Sequence, residues 1–285
     1  MRSVDLKRLT KEELDKYDED GFICVSGIFT DQELEEIRQE YDQLFQRKKM
    51  ENGRLEARWA GDWEKKDEKE KDETEKNIVE IENEKKKSVL SIHNLQQHSA
   101  VFTRLILHKG LLDVMEDIVG DGLVLHHTKA HLKPGKQGAA FPSHQDYHYF
   151  PYRDHSMIAA FVHLEDTTAE NGGLGVFPGS QRKGAQENVS TNPGVYYLNQ
   201  EEWNIGLAKE VKAKAGDVVI FSYLLVHASY PNISDIPRRM FLLQVAGSND
   251  VPVSNQHVSP GSGLMLRGRS YITPADLDMR HLDQN

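Results

Sequence analysis

The sequence predicts an α+β protein that is mainly β, with a double-stranded β-helix (a cupin-like jelly roll) as its core and N-terminal helices packed on one sheet. Two observations predict this fold class. The first 120 residues carry helix-capping signals and apolar residues at helical spacing, whereas from residue 123 onward short apolar segments alternate with Gly, Pro and Asn turns. Many short antiparallel strands after a helical lead-in are typical of a two-sheet jelly roll.

The N-terminal part of the chain contains the helical signals. Thr10 and Thr30 each precede a Glu by three residues, which is the pattern of a capping box, and a strand is expected between the two helices at 21–25. The second helix has one apolar stripe that can pack on a sheet. The stripe comprises Leu34, Ile37, Tyr41, Leu44 and Phe45. Further helices are expected over 91–119.

The second half of the chain contains the strand signals. We expect strands at 123–133, 141–150, 157–164, 174–177, 210–212, 218–221 and 240–245, separated by turn residues. No internal repeat is visible. The chain is therefore expected to form one domain over residues 1–285, with a charged insertion at 64–87 and a C-terminal tail from about residue 259.

The insertion at 64–87 consists largely of Lys and Glu. Such mixed charge predicts a solvated helix or a mobile insertion. The alternative is a lid over a functional site.

Charge and cysteine content limit the partners and the compartment. The formal net charge is −10, which argues against nucleic acid as a partner because a phosphate-binding surface is normally basic. Cys24 is the only cysteine, so no intrachain disulfide can form. The first residues are charged and no long apolar segment occurs, so we expect a cytoplasmic protein with no membrane partner. The sequence does not indicate the oligomeric state.

The tripeptide His144-Gln145-Asp146 is the main candidate for chemistry. In a strand, alternate side chains share a face, so His144 and Asp146 project together while Gln145 points away. Two such ligands and one distant His can form the facial triad that binds Fe(II). With 13 histidines in the chain, an H-x-D pattern alone is weak evidence.

His227 is the best third ligand, because it ends an apolar strand that follows the turn at 216–217. The other candidates lie in helical or tail contexts. These are His98, His108 and His281. Eleven residues after His227, Arg238 opens the next strand, and its guanidinium can hold a carboxylate through two parallel hydrogen bonds. Arg239 points to the other face and is expected to be a surface charge.

These motifs, in this order, resemble the phytanoyl-CoA dioxygenase family of Fe(II)- and 2-oxoglutarate-dependent oxygenases, which also includes ectoine hydroxylase and many natural-product oxygenases. The matching segments cover nearly the whole chain except 64–87 and the tail. They are 17–22, Lys133-Pro134-Gly135, 144–151, Glu170-Asn171-Gly172-Gly173, Phe177-Pro178-Gly179-Ser180, His227-Ala228-Ser229 and Arg238.

The resemblance implies roles for individual residues. It makes His144, Asp146 and His227 the iron ligands. Arg238 and Ser229 would bind the far carboxylate of 2-oxoglutarate. Lys129 and Phe161 occupy strand positions that contact the co-substrate in the phytanoyl enzyme, where Phe161 replaces an indole.

Two histidines are candidate substrate contacts. His93 matches a helical position that often faces the active site in this family, and a buried structural histidine is the alternative. His148 shares a strand face with His144 and Asp146, so it is expected to contact the substrate or support the ligands, with a structural role as the alternative.

The resemblance implies a dioxygenase that uses Fe(II), 2-oxoglutarate and O2, with ascorbate as an accessory reductant. It would hydroxylate a small molecule and release succinate and CO2. The substrate could be a polar metabolite, a natural product or an acyl-CoA. Because Asp146 is a full carboxylate, hydroxylation, desaturation or ring closure is expected over halogenation. The alternatives are a non-catalytic jelly roll that binds metal and 2-oxo acid, and a cupin-type metal enzyme that does not use 2-oxoglutarate.

Overall fold

A computed structural model describes residues 8–51, 90–191, 194–254 and 259–273. The charged insertion predicted at 64–87 and the chain after residue 273 lie outside the described residues. No helix in the described part of the chain is long and apolar enough to cross a membrane.

Four α-helices of the described residues precede most of the strands. They are α1 (Lys11–Asp20), α2 (Asp31–Met50), α3 (Ala100–Ile106) and α4 (Lys109–Val119). Both predicted capping boxes are confirmed: Thr10 and Thr30 accept hydrogen bonds from the backbone N–H three residues later, and the Glu side chains bond back. Each box satisfies backbone donors that have no partner within the helix.

Within the described ranges the strands form two antiparallel sheets, and seven strands belong to the larger one. In spatial order they are β1 (Phe22–Val25), β8 (Val218–Ser222), β5 (Ile158–His163), β10 (Arg238–Gly247), β3 (Leu123–Lys133) and β11 (Met265–Arg267), with β2 (Leu90–His93) also paired to β3. The smaller sheet has the order β4 (Phe141–His144), β9 (His227–Ser229), β6 (Leu174–Val176) and β7 (Lys209–Val211).

Strand alternation divides the apolar side chains of the large sheet between two cores. Val218 and Ile220 lie in the core that includes the stripe of α2, whereas Val219 and Phe221 lie in a second core with Leu174 and residues of the small sheet. The large sheet therefore packs helices on one face and the small sheet on the other. This confirms the predicted jelly roll with helices on one sheet.

Two expectations about local structure were wrong. Residues 90–93 form a strand, not a helix, because they pair with residues 129–132 of β3. The strand expected over 141–150 ends at His144 and gives way to a 3-10 turn, Asp146–His148. The predicted tail contains β11, which pairs with the start of β3.

Candidate active site

Three side chains converge where β4 meets β9. His144 ends β4, His227 begins β9, and the two residues face each other across the sheet. Each Nε2 lies 3.8 Å from Asp146 Oδ1. The ligand atoms of all three residues lie within 4.8 Å of one another, so one metal ion could contact all of them.

Hydrogen bonds on the far side of each ring orient the two imidazoles. His144 Nδ1 donates to the Pro142 carbonyl oxygen at 2.7 Å, and His227 Nδ1 donates to that of Leu225 at 2.9 Å. A carbonyl can only accept, so each Nδ1 carries the proton and each Nε2 presents a lone pair inward. These two neutral rings are ready to bind a cation.

Burial shifts the pKa values of His144, His227 and Asp146. It lowers the pKa of His144 to about 3, with the neighbouring His227 contributing, and lowers the pKa of His227 to about 4. Both rings are therefore neutral at pH 7, as metal ligation requires. Burial raises the pKa of Asp146, whose Oδ2 accepts a hydrogen bond from Gln244 Nε2 at 3.0 Å. A bound cation would favour the charged carboxylate.

Gln145 fixes the backbone between His144 and Asp146. Its side chain is fully buried and donates to the carbonyl oxygens of Leu224 at 2.5 Å and Gly184 at 3.0 Å. It also accepts from the backbone N–H of Gln186 at 2.8 Å. These long-range bonds anchor the chain where β4 ends and the turn carrying Asp146 begins.

A pair of buried cations faces the same site. Arg238 and Lys133 are register partners on β10 and β3, with only 2% and 1% of their surface exposed. Arg238 Nη1 donates to the Gly172 carbonyl oxygen at 2.9 Å, whereas Nε and Nη2 are buried and have no hydrogen-bond partner among the described residues. Two unsatisfied donors of one guanidinium match the geometry of a carboxylate.

Lys133 joins this group through Ser229. Its Nζ donates to Ser229 Oγ at 2.7 Å and to the Tyr230 carbonyl oxygen at 2.6 Å. Burial, with the charge of Arg238, lowers the pKa of Lys133 well below its usual value. Because Ser229 Oγ accepts from Lys133, the Ser229 hydroxyl proton can point to another acceptor.

The three candidate metal ligands and the two cations open onto one cavity of about 340 Å³ between the two sheets. Its floor carries His127, Lys129, His131 and Lys133, which are alternate residues of β3 and therefore share a face. Phe161 also lines it, at 4.9 Å from the Phe221 ring. Of the nine predicted site residues, eight line this cavity; the exception is His148.

Two predicted contacts differ from expectation. His93 does line the cavity, but from strand β2, where its Nδ1 lies 3.0 Å from His127 Nε2. His148 lies in the 3-10 turn, so strand alternation does not apply to it. It is not among the described residues that line the cavity, and its ring stacks on Tyr196 at 6.0 Å.

Arg239 is not a free surface charge. Its Nε forms an ion pair with Glu165 at 2.5 Å and its Nη1 with Asp42 at the same distance, so it ties β10 to α2. It points away from the cavity, as expected, and the sequence did not indicate its partners because both are distant along the chain.

Sequence reasoning also missed three residues of the site: Lys133 as a buried cation, His127 as the partner of His93, and Gln244 as the partner of Asp146. For Lys133 and His127 a signal existed. Both are separated from Lys129 by an even number of residues along β3. Strand alternation therefore predicts that their side chains lie on the same face as that of Lys129.

Comparison with protein families gives one match that spans most of the chain. Residues 17–240 match the family model described as phytanoyl-CoA dioxygenase. The chain belongs to this family of Fe(II)- and 2-oxoglutarate-dependent oxygenases. The resemblance inferred from the motifs is therefore confirmed.

Relatives within the family differ in what they act on. The chain is 25% identical over 182 residues to a probable alpha-ketoglutarate-dependent hypophosphite dioxygenase of Stutzerimonas stutzeri, covering 61% of this chain and 63% of that protein. It is 26% identical over 214 residues to L-proline trans-4-hydroxylase of Streptomyces griseoviridis, covering 67% of this chain and 78% of the relative. The chain thus spans less than two thirds of the first of these relatives.

Solved structures support the fold. The carbocyclase SnoK from nogalamycin biosynthesis, a non-haem alpha-ketoglutarate-dependent protein, superposes with a TM-score of 0.66 at 19% identity. The match covers 89% of this chain and 92% of SnoK. At this identity the likeness shows the shared jelly roll alone.

Proposed function

We propose that this protein is an Fe(II)- and 2-oxoglutarate-dependent dioxygenase that hydroxylates a small molecule and releases succinate and CO2. The observation that supports it best is the cavity itself, which is lined by both a His-Asp-His cluster and a guanidinium with two unsatisfied donors. Family membership supports the same activity.

His144, Asp146 and His227 would hold the iron. Two neutral imidazoles and one carboxylate form the donor set that favours Fe(II) and leaves coordination positions open. When bound, the ion and the 2-oxo acid supply the oxidative chemistry. The protein orients the ligands through Pro142, Leu225 and Gln244, and excludes bulk water from a cavity between two sheets.

Arg238 and Ser229 would hold the far carboxylate of 2-oxoglutarate. Arg238 offers Nε and Nη2, and Ser229 offers a hydroxyl proton that Lys133 leaves available. Phe161 would pack against the chain of the co-substrate. This arrangement fixes one end of the acid, so its 2-oxo end can reach the metal.

The proposal is tested by titrating the purified chain with Fe(II) and 2-oxoglutarate without oxygen. Succinate release is then measured after O2 and ascorbate are added. The visible absorption of the Fe(II)–2-oxo acid chelate reports binding. We expect Arg238→Ala to weaken 2-oxoglutarate binding by roughly tenfold or more while iron binding persists, because charged hydrogen bonds are lost. The exposed Arg153→Ala should behave like the unmodified protein.

Other outcomes would contradict the proposal in distinct ways. Absence of both iron and 2-oxoglutarate binding would contradict it outright. An activity indifferent to 2-oxoglutarate would favour a cupin-type metal enzyme, and binding of both without any succinate release would favour a non-catalytic protein.

The type of product depends on Asp146. A carboxylate ligand occupies the position that a chloride would need, so hydroxylation, desaturation or ring closure is proposed over halogenation. Mass spectrometry should show a gain of one oxygen or a loss of two hydrogens, and Asp146→Gly should abolish the reaction. A chlorinated product from the unmodified protein would refute the assignment of Asp146 as a ligand.

A further inference from the structure

His163 is a buried imidazole outside the metal cluster. It ends β5 with 1% of its surface exposed, and its register partner on β10 is Met240. Arg238 precedes Met240 by two residues, so strand alternation places Arg238 on the same face as Met240 and diagonal to His163. Side chains in diagonal positions of a sheet reach each other when one of them is long. His163 therefore lies within reach of the guanidinium that would hold 2-oxoglutarate.

Thr167 determines which nitrogen of His163 carries the proton. The Thr167 hydroxyl donates to the Glu165 carbonyl oxygen at 3.1 Å, and the same hydroxyl oxygen lies 3.1 Å from His163 Nδ1. Because the hydroxyl has a single proton and the carbonyl can only accept, His163 Nδ1 donates to Thr167. Burial, with the charge of Arg238 contributing, lowers the pKa of His163 to about 3, so the ring is neutral at pH 7. Nε2 of this neutral ring therefore carries a lone pair.

Two buried groups of complementary hydrogen-bonding character lack partners in the described part of the chain. His163 Nε2 is an acceptor, and Arg238 Nε and Nη2 are donors. Nη2 carries two protons, whereas a carboxylate held in parallel by Nε and Nη2 uses only one of them. Leaving a buried donor or acceptor without a partner costs free energy. A hydrogen bond between the second Nη2 proton and His163 Nε2 would satisfy both groups.

We propose that His163 positions Arg238 by accepting a hydrogen bond from Nη2, directly or through one water molecule, when 2-oxoglutarate is bound. This inference rests on the proposed function and names a residue that sets its co-substrate specificity. The bond fixes the plane of the guanidinium, so that Nε and the other Nη2 proton point at the far carboxylate. His163 is not among the described residues that line the cavity, so it acts through Arg238.

The test compares two 2-oxo acids that differ in the far carboxylate. 2-Oxoglutarate has this group and 2-oxobutyrate does not, so only 2-oxoglutarate depends on Arg238. Both acids are titrated without oxygen into the Fe(II) form of the full chain, and the visible absorption of the chelate reports binding. We expect His163→Asn to weaken 2-oxoglutarate binding by roughly tenfold, because a buried hydrogen bond to a charged group is lost. Binding of 2-oxobutyrate should stay within about threefold, whereas damage to the fold would weaken both acids.

Two further variants assign the effect to the Nε2 acceptor. His163→Gln keeps an oxygen acceptor about as far from the backbone as Nε2, whereas the shorter Asn reaches only as far as Nδ1. We therefore expect His163→Gln to bind 2-oxoglutarate within about threefold of the unmodified protein. Thr167→Val leaves the imidazole in place but removes the hydroxyl that accepts from Nδ1. The proton can then move to Nε2, so this variant should also lose 2-oxoglutarate binding selectively.

Two controls complete the experiment. In an Arg238→Ala background, His163→Asn should have no further effect on 2-oxoglutarate binding, because the group that His163 positions is gone. His108→Asn replaces a histidine at the N-cap of α4, outside the cavity, with another residue that caps helices well. It should leave both titrations unchanged.

Each contrary result has a separate meaning. If neither 2-oxo acid gives the chelate absorption with the unmodified protein, the proposed function fails and this inference fails with it. If the chelates form but His163→Asn leaves the ratio of the two affinities unchanged, only the inference is overturned. If His163→Gln weakens 2-oxoglutarate binding as strongly as His163→Asn does, the Nε2 acceptor is not the cause and the inference is likewise overturned.

Discussion

Replacing Lys133 with Met tests how the cavity holds its co-substrate. The substitution keeps a similar length but removes two hydrogen bonds, to Ser229 Oγ at 2.7 Å and to the Tyr230 carbonyl oxygen at 2.6 Å. Without Lys133, the Ser229 hydroxyl is free to rotate toward the Tyr230 carbonyl, and it no longer has to donate to the co-substrate. We therefore expect Lys133→Met to raise the KM for 2-oxoglutarate.

The size of the KM increase follows from losing the hydrogen bond between the Ser229 hydroxyl and the carboxylate of the co-substrate. A hydrogen bond involving a charged group contributes about 1.5–3 kcal/mol, which corresponds to a roughly 10- to 150-fold increase in KM. Stability should change less, because the unsatisfied Tyr230 carbonyl destabilises the fold while removing a buried cation beside Arg238 relieves repulsion. The kcat should remain within about threefold, since no metal ligand is touched.

The assay is succinate release as a function of 2-oxoglutarate concentration. Ser229→Ala should raise the KM by a comparable factor. The double variant should have a KM only slightly above that of either single variant, because both substitutions remove the same hydrogen bond from the Ser229 hydroxyl to the co-substrate. Lys136→Met, at an exposed lysine paired with Asp235, is the matched control. An unchanged KM, or strictly additive effects of the two substitutions, would refute this reasoning.

Three further predictions concern the frame around the site. Gly172 has φ +87°, and a Cβ there would lie 2.8 Å from Lys133 Cδ, so Gly172→Ala should raise the KM for 2-oxoglutarate. The control is Gly120→Ala, which has φ +93° and no neighbour within 4 Å. It carries similar backbone strain and should leave the KM unchanged. Phe102 is fully buried and stacks on Phe241, so Phe102→Ala should lower the free energy of unfolding by about 3–5 kcal/mol in urea titration, whereas the exposed Met50→Ala should change it by less than about 0.5 kcal/mol. Burial lowers the pKa values of His163 and His144 to about 3 and that of His227 to about 4. Below about pH 6.5 the unfolded state therefore binds more protons than the folded state. The metal-free protein should lose stability as the pH falls toward about 4. His163→Gln should flatten that dependence, and stability that is constant between about pH 7 and about pH 4 would contradict the assignment of neutral buried rings.

Local signals explain which features the sequence could predict. The capping boxes at Thr10 and Thr30 involve residues three apart, so both the donor and the acceptor are visible in the sequence. His227 could be selected among 13 histidines because an apolar strand leads to it. Arg238 could be proposed because its chemistry suits a carboxylate and because it opens a strand.

Long-range contacts explain the errors. Strand β2 has only four residues and exists through pairing with β3, some 40 positions later. The turn that carries Asp146 follows an anchor made by Gln145 with Leu224, 79 residues away. Arg239 contacts Asp42 across 197 residues. None of these partners leaves a trace in the local pattern.

The net charge of the chain does not describe the charge of the cavity, and the structure shows the physical reason. The chain carries a formal charge of −10, which argues against a basic binding surface, yet three cations and one carboxylate line the cavity. Exposed acids are screened by solvent within about 8–10 Å, whereas charges enclosed between two sheets interact through a medium of low polarity. The alternation of His127, Lys129, His131 and Lys133 on one face of β3 therefore predicts more about the ligand than the whole composition does, because these side chains share the space that the ligand must enter.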